Sequence, residues 1–173
     1  MLTRLGDGLT NLSFDLPFLF RPVIRPQETV LIYLDEESHK LLNQPFNAPW
    51  DRSLHAKLLE RLKAQQAKAV VFDIVFSDPG PNPEADERLM RAIQAHGGVV
   101  LSSDYVLTKD GDGRLNQRLI QPLESFRKVA TDSGVSQLPA DSDFVIRKHF
   151  YTSQDLQSLS YAAAKSVGAE ATQ

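Results

Sequence analysis

The chain contains no cysteine, which excludes a disulfide framework, a thiolate metal site and a cysteine nucleophile. Compartment is left open, because cytosolic and exported proteins both tolerate that absence. Basic runs are missing as well. Nineteen Lys and Arg stand against 22 Asp and Glu, a formal net charge of -3 with a pI near 5.8, so no nucleic-acid partner is expected. No run approaches the roughly 18 apolar residues of a membrane-spanning helix; the longest, AVVFDIVF at 69–76, is broken by Asp73. A signal peptide is not legible in MLTRLGDGLTNL, which has neither a continuous apolar core nor a small-residue cleavage site. The Gly-rich phosphate loop, the dinucleotide fingerprint, HExxH and GxSxG are also absent, which removes the sequence basis for the common nucleotide-dependent and hydrolytic enzymes.

What is present is ordinary globular material: 173 residues, 42% hydrophobic and 24% charged, enough for one sizeable core. Short β-rich apolar runs alternate with amphipathic stretches. TVLIYL at 29–34, residues 69–76 and GVVLSSDYV at 98–106 read as strands, the first two buried on both faces because they are almost continuously apolar. A crossover helix is expected over 53–65, with Leu54, Leu58, Leu59 and Leu62 on one stripe. The next helix has Asn82 as N-cap, Pro83 at its first position and Gly97 at its end, with Leu89, Met90 and Ile93 inward. TKDGDGR at 108–114 predicts a chain reversal, Pro122 a short helix burying Leu123, Phe126 and Val129, DFVIRKHFY at 143–151 a further strand, and 155–167 a last helix stopped by Gly168. The expected fold is α/β: a largely parallel central sheet flanked by helices on both faces, with a less regular C-terminal half. Residues 1–20 form a helical lead-in segment, and 21–173 a single α/β domain. In that lead-in, Leu2, Leu5, Leu9, Leu12, Leu16 and Leu19 follow the 3, 4, 3, 4, 3 spacing of a heptad seam. Gly6, Gly8 and Pro17 weaken it. The segment either packs on its own domain or carries a homodimer through Leu2, Leu5, Leu9 and Leu12.

Four histidines lie scattered on different elements, and neither the Asp110–Gly113 loop nor Asp141-Ser142-Asp143 has the spacing of a calcium site. No metal site and no cofactor are expected. Carboxylates at the predicted strand ends are more informative, because the carboxyl edge of a parallel sheet is where ligands bind. An enzyme built there would be a soluble Mg-dependent phosphohydrolase using Asp35, Glu36, Asp73 and Asp104. As a binding surface, the same edge would present Glu36, Asp78 and Tyr105 together with the aromatic Trp50. Asp73, inside an apolar run, demands a hydrogen-bonding or cationic partner. Arg52 and Arg147 are the candidates, with Asp35 as the second choice for Arg52.

Six segments then form an ordered set: LSFDLPFLFRP at 12–22, VLIYLDEES at 30–38, APWDRSLHAKLLERL at 48–62, AVVFDIVFSDP at 69–79, ADERLMRAI at 85–93 and GVSQLPADSDFVIRKHF at 134–150. Together they resemble the type-2 CHASE domain, the sensory module of bacterial transmembrane receptors. Ala48 stands where that family has Trp, and Phe144 where its late turn usually has Gly. The resemblance implies a non-catalytic, extracytoplasmic part of an inner-membrane protein, tethered to membrane helices. Such a domain receives a small-molecule or protein stimulus and feeds a cytoplasmic cyclase or kinase. It further implies that Met1 and Gln173 lie on one side of the domain, and that Arg52 pairs with the Asp of the next strand, Asp73.

Overall fold

Five consecutive buried residues, Val99 to Ser103, make β2 (Val99–Lys109) the axis of the molecule. The computed structural model describes residues 3–23, 25–148, 152–153 and 156–169. On one side of β2 lies β1 (Val70–Phe72), parallel, with Val70 opposite Val99 and Phe72 opposite Leu101. On the other lies β4 (Asp132–Val135), also parallel, with Val100 opposite Asp132 and Ser103 opposite Val135. Past Ser103, β2 continues as an antiparallel ribbon with β3 (Leu115–Ile120). The reversal between them is organised by Asp110, whose carboxylate accepts the backbone N–H of Asp112 and Arg114 and the side-chain amide of Asn116, an Asx-type turn.

Alternation along β2 sorts its side chains to two faces. Val99 and Leu101 join Ala56 and Leu59 of α3 (Arg52–Ala64), Leu89, Ala92 and Ile93 of α4 (Pro83–His96), Phe126 of α5 (Glu124–Val129), Phe72 and Phe76 in the main core. Val100 packs on the opposite face against Leu159 and Ala162 of α6 (Leu159–Ser166). The architecture is therefore α/β, a mostly parallel sheet with helices on both faces. α4 starts and stops as its sequence dictates: Asn82 accepts the Glu84 N–H, Pro83 opens the helix, and Gly97 closes it at φ 78°, a left-handed conformation that glycine adopts without steric cost.

Four expected elements differ. Residues 29–34 form no strand: among the described residues the segment has no strand partner, and its apolar side chains are exposed, Val30 to 81%. A continuously apolar run needs cover on both faces, and here no helix reaches it, so α3 does not cross over from a paired strand. The strand at 69–76 keeps its ladder only over β1, because Asp73 turns out to solvent and ends it. Residues 143–148 form a turn and loop, with Phe144 91% exposed at φ 63°; residues 149–151 lie outside the described part. Finally, α6 begins at Leu159, because Leu156–Gln157 (β6) pairs with Thr152–Ser153 (β5) and Ser158 caps the helix. The buried stripe of α3 is also rotated, running through Arg52, His55, Ala56 and Leu59 while Leu54, Leu58 and Leu62 are half-buried.

Candidate functional site

Asp51 caps α3 by accepting the Ser53 N–H, and this cap sets Arg52 and His55 on the first turn of the helix and Trp50 just before it, beside the segment that follows β1. Between them is a cavity of about 320 Å³, lined by Leu34, His39, Trp50, Arg52, His55 and residues 74–79 with Ala48 and Pro49. Its walls are a chain of rings. His39, on the short helix α2 (Glu36–Leu41), stacks on Phe46 and accepts the Trp50 indole N–H at 3.2 Å. Trp50 faces His55, whose ring meets Phe72 and Phe76 edge-on, and Phe76 meets Phe126 in turn.

Arg52 closes the inner end. Its guanidinium lies over the rings of Phe76 and Phe126, at 5.5 and 5.2 Å from their centroids, donates to Asp86 Oδ1 at 2.7 Å and also to the Asp78 carbonyl. Asp86 uses its other oxygen to accept the Gly80 N–H at 2.8 Å. One buried ion pair thus joins α3, α4 and the loop after β1. The expected partner was Asp73, or else Asp35; both expectations are corrected. Asp73 is exposed at the end of β1 and needs no cation, and Asp35 caps α2, accepting the Ser38 N–H and hydroxyl, bonds that hold its carboxyl below the usual carboxylate range.

Arg147 also meets carboxylates, though not Asp73. Its side chain is 7% exposed and makes a two-bond contact with Asp15 at 2.8 and 2.9 Å, with Asp143 at 2.8 Å and Asp141 at 3.2 Å. Asp15 belongs to α1 (Thr3–Phe20), so the pair ties the first helix to the 141–147 loop. Hydrogen bonds from Arg147 depress the Asp15 and Asp143 carboxyls, and the carboxylates push the guanidinium further up.

Of the four residues expected at a binding surface, Trp50 and Asp78 line the cavity together. Glu36 lies apart from it on exposed α2, paired with Lys40, and Tyr105 sits in the β2–β3 ribbon opposite Leu119. Asp35, Glu36, Asp73 and Asp104 do not converge: among the described residues no group of three or more His, Cys, Asp or Glu could hold a metal ion. Sequence reading missed His39, His55, Asp86 and Asp15. Asp86 lies in the first turn of α4, where an acid is favoured by the helix dipole alone, so its position carries no signal of a partner. Asp15, a lone carboxylate among leucines and phenylalanines, carried the same signal that drew attention to Asp73.

His55 is 5% exposed. Burial first, and the neighbouring Arg52 charge second, lower its pKa from the ordinary 6.5, so the ring is neutral at pH 7. A second and larger cavity, about 490 Å³, lies between β4 and β6 and is lined by Ser103, Asp132, Gln157 and their neighbours. There Gln157 already donates to Asp132 and to the Ser133 carbonyl.

The family model described as the CHASE2 domain matches residues 1–173, and the chain belongs to that family of extracytoplasmic sensory domains. No curated protein and no solved structure matches it.

Proposed function

We propose that this CHASE2 domain is the non-catalytic input module of a bacterial transmembrane signal-transduction protein. It lies outside the cytoplasmic membrane, is joined to membrane helices, and passes a small-molecule or protein stimulus to a cytoplasmic cyclase or kinase. Among the described residues no helix is long and apolar enough to cross a membrane; the membrane helices belong to the rest of the receptor. The observation that carries the reading is the Asp15–Arg147 pair, which spans 132 positions of sequence. An input domain has to convert a local change into a displacement of the segments leading to its membrane helices. A charge-paired joint between α1 and the late loop couples those segments. The uncovered leucines of α1 support a second copy as the partner of that helix; Leu2 lies outside the described residues, as do both Met1 and Gln173. The phosphohydrolase reading has no convergent carboxylates to support it.

Two measurements on the full-length protein test the proposal. Alkaline phosphatase inserted into the Asp110–Gly113 turn is expected to be active, as it is only outside the cytoplasm; activity confined to a cytoplasmic reporter at that turn would sink the reading. Asp15→Asn leaves Arg147 its bonds to Asp141 and Asp143, so the domain stays folded. The substitution is expected to shift basal output severalfold, and unchanged output would remove the joint from the mechanism.

A further inference from the structure

The polar groups around the 320 Å³ cavity are almost all engaged. Arg52 is held by Asp86 and the Asp78 carbonyl, the Trp50 N–H is donated to His39, and the Ser77 hydroxyl is donated to the Asp78 carboxylate at 2.6 Å. His55 differs. Its imidazole lines the cavity, is 5% exposed, and among the described residues receives and donates no hydrogen bond, its neighbours being the rings of Trp50, Phe72 and Phe76. Unlike His96 Nε2, which is sealed in without a partner among the described residues, the His55 nitrogens are not closed off, and a ring nitrogen that the protein leaves without a partner takes one from what fills the cavity. The cavity wall opens that nitrogen to whatever enters.

Charge narrows what can enter. Arg52 is already neutralised by Asp86, so it offers no unmatched charge to an anion, and the Asp78 carboxylate, engaged by the Ser77 hydroxyl, repels one. Flat walls of Trp50, His55 and Phe76 favour a ring, and the volume is roughly that of ten liquid waters, in the lower part of the range of small-molecule sites. We propose that this cavity takes a small neutral aromatic molecule carrying one hydroxyl or N–H donor, with the donor bonded to His55 and the ring against Trp50 and Phe76. This assignment rests on the sensor reading only in treating the cavity as the input site.

The test uses the intact chain and phenol as probe, with toluene, benzoate and benzylamine as comparators. Trp50 is the single tryptophan, so its indole N–H resonance reports on the cavity alone. Phenol is expected to shift that resonance with an affinity about tenfold above that of toluene, the difference one satisfied hydrogen bond makes, and benzoate and benzylamine are expected to bind more weakly than phenol. His55→Leu should bring phenol down to toluene, while His55→Gln keeps a preference for phenol. The inference is overturned if no probe perturbs Trp50 at millimolar concentration, if phenol and toluene bind alike to the unsubstituted chain, or if the preference survives His55→Leu. Should His55→Leu fail to fold, the comparison of phenol with toluene on the unsubstituted chain decides. Loss of phenol binding with an active alkaline phosphatase insertion sinks the ligand class and leaves the sensor reading; a cytoplasmic reporter does the reverse.

Discussion

Arg52 shows how one side chain can fix three pieces of backbone. Removing it strands the Asp86 carboxylate in a half-dry site, opens the Gly80 loop and uncovers Phe76 and Phe126. Arg52→Ala is expected to cost about 3–5 kcal/mol, the usual penalty for breaking a buried pair, and to lower the melting temperature by roughly 10 °C for a domain of this size. Arg52→Lys recovers only part of this, because an ammonium cannot span both acceptors and lie flat over two rings. Asp73→Asn, at an exposed position, is expected to stay within about 0.5 kcal/mol; thermal melts of the three variants check the set. Histidine burial gives a pH signature of known sign. His55, and His96 whose pKa burial also lowers, stay neutral in the fold at pH values where the unfolded ring, with its pKa near 6.5, takes up a proton. Stability is therefore full above about pH 6.5 and is lost as pH falls from there through the lowered folded values. Urea melts between pH 7.5 and 5.5 should show that slope and His55→Gln should flatten it; a pH-independent melt would contradict a neutral buried His55.

At the scale of elements, close approach decides where α6 sits. A Cβ added at Gly134 would stand 2.6 Å from the Ser158 carbonyl and 2.7 Å from the Leu159 backbone, so β4 and the start of α6 touch backbone to backbone, helped by the Val135–Ser158 bridge. Gly134→Ala is expected to push α6 off Val100 and cost about 1–3 kcal/mol. Gly8→Ala, in exposed α1 with nothing within 4 Å, should instead gain about 0.5–1 kcal/mol of local helix stability. Denaturant midpoints of the two variants moving in the same direction would contradict this packing. Phe144 shows the opposite bargain, a bulky residue at φ 63° in the turn whose Asp141 and Asp143 hold Arg147.

Across the whole molecule, apolar surface is distributed unevenly. The core from Trp50 to Ala162 is closed, whereas α1 and residues 30–34 expose Leu9, Leu12, Leu16, Leu19, Leu31 and Tyr33, Leu19 to 77%. Contiguous exposed apolar surface marks an interaction face, and the heptad spacing of those α1 leucines is the pattern that matches an identical helix. The intact chain is expected to sediment with a concentration-dependent mass between monomer and dimer. Leu12→Glu together with Leu16→Glu should hold it monomeric and leave it folded, with the melting transition of the dilute, monomeric chain, because neither side chain belongs to the core. A chain that is monomeric throughout would leave α1 without the partner proposed for it.

Sequence by itself determined what depends on neighbours a few positions apart. The caps of α4, the Asp110–Gly113 reversal, the short α5 and the buried start of β2 are written in local spacing, since a cap, a turn or an alternation involves only residues i to i+4. Family membership, too, was legible in the order of the segments. Trp50 and Asp78 could be named from strand-end logic, but their meeting in one cavity with His39 and His55 could not. Only the tertiary structure decided which carboxylates the two arginines meet, since Arg52 and Asp86 lie 34 positions apart and Arg147 and Asp15 lie 132 apart. It also decided that TVLIYL stays outside the sheet. A strand is completed by hydrogen bonds from another strand and by cover on its faces, and neither is encoded in the segment that would use them.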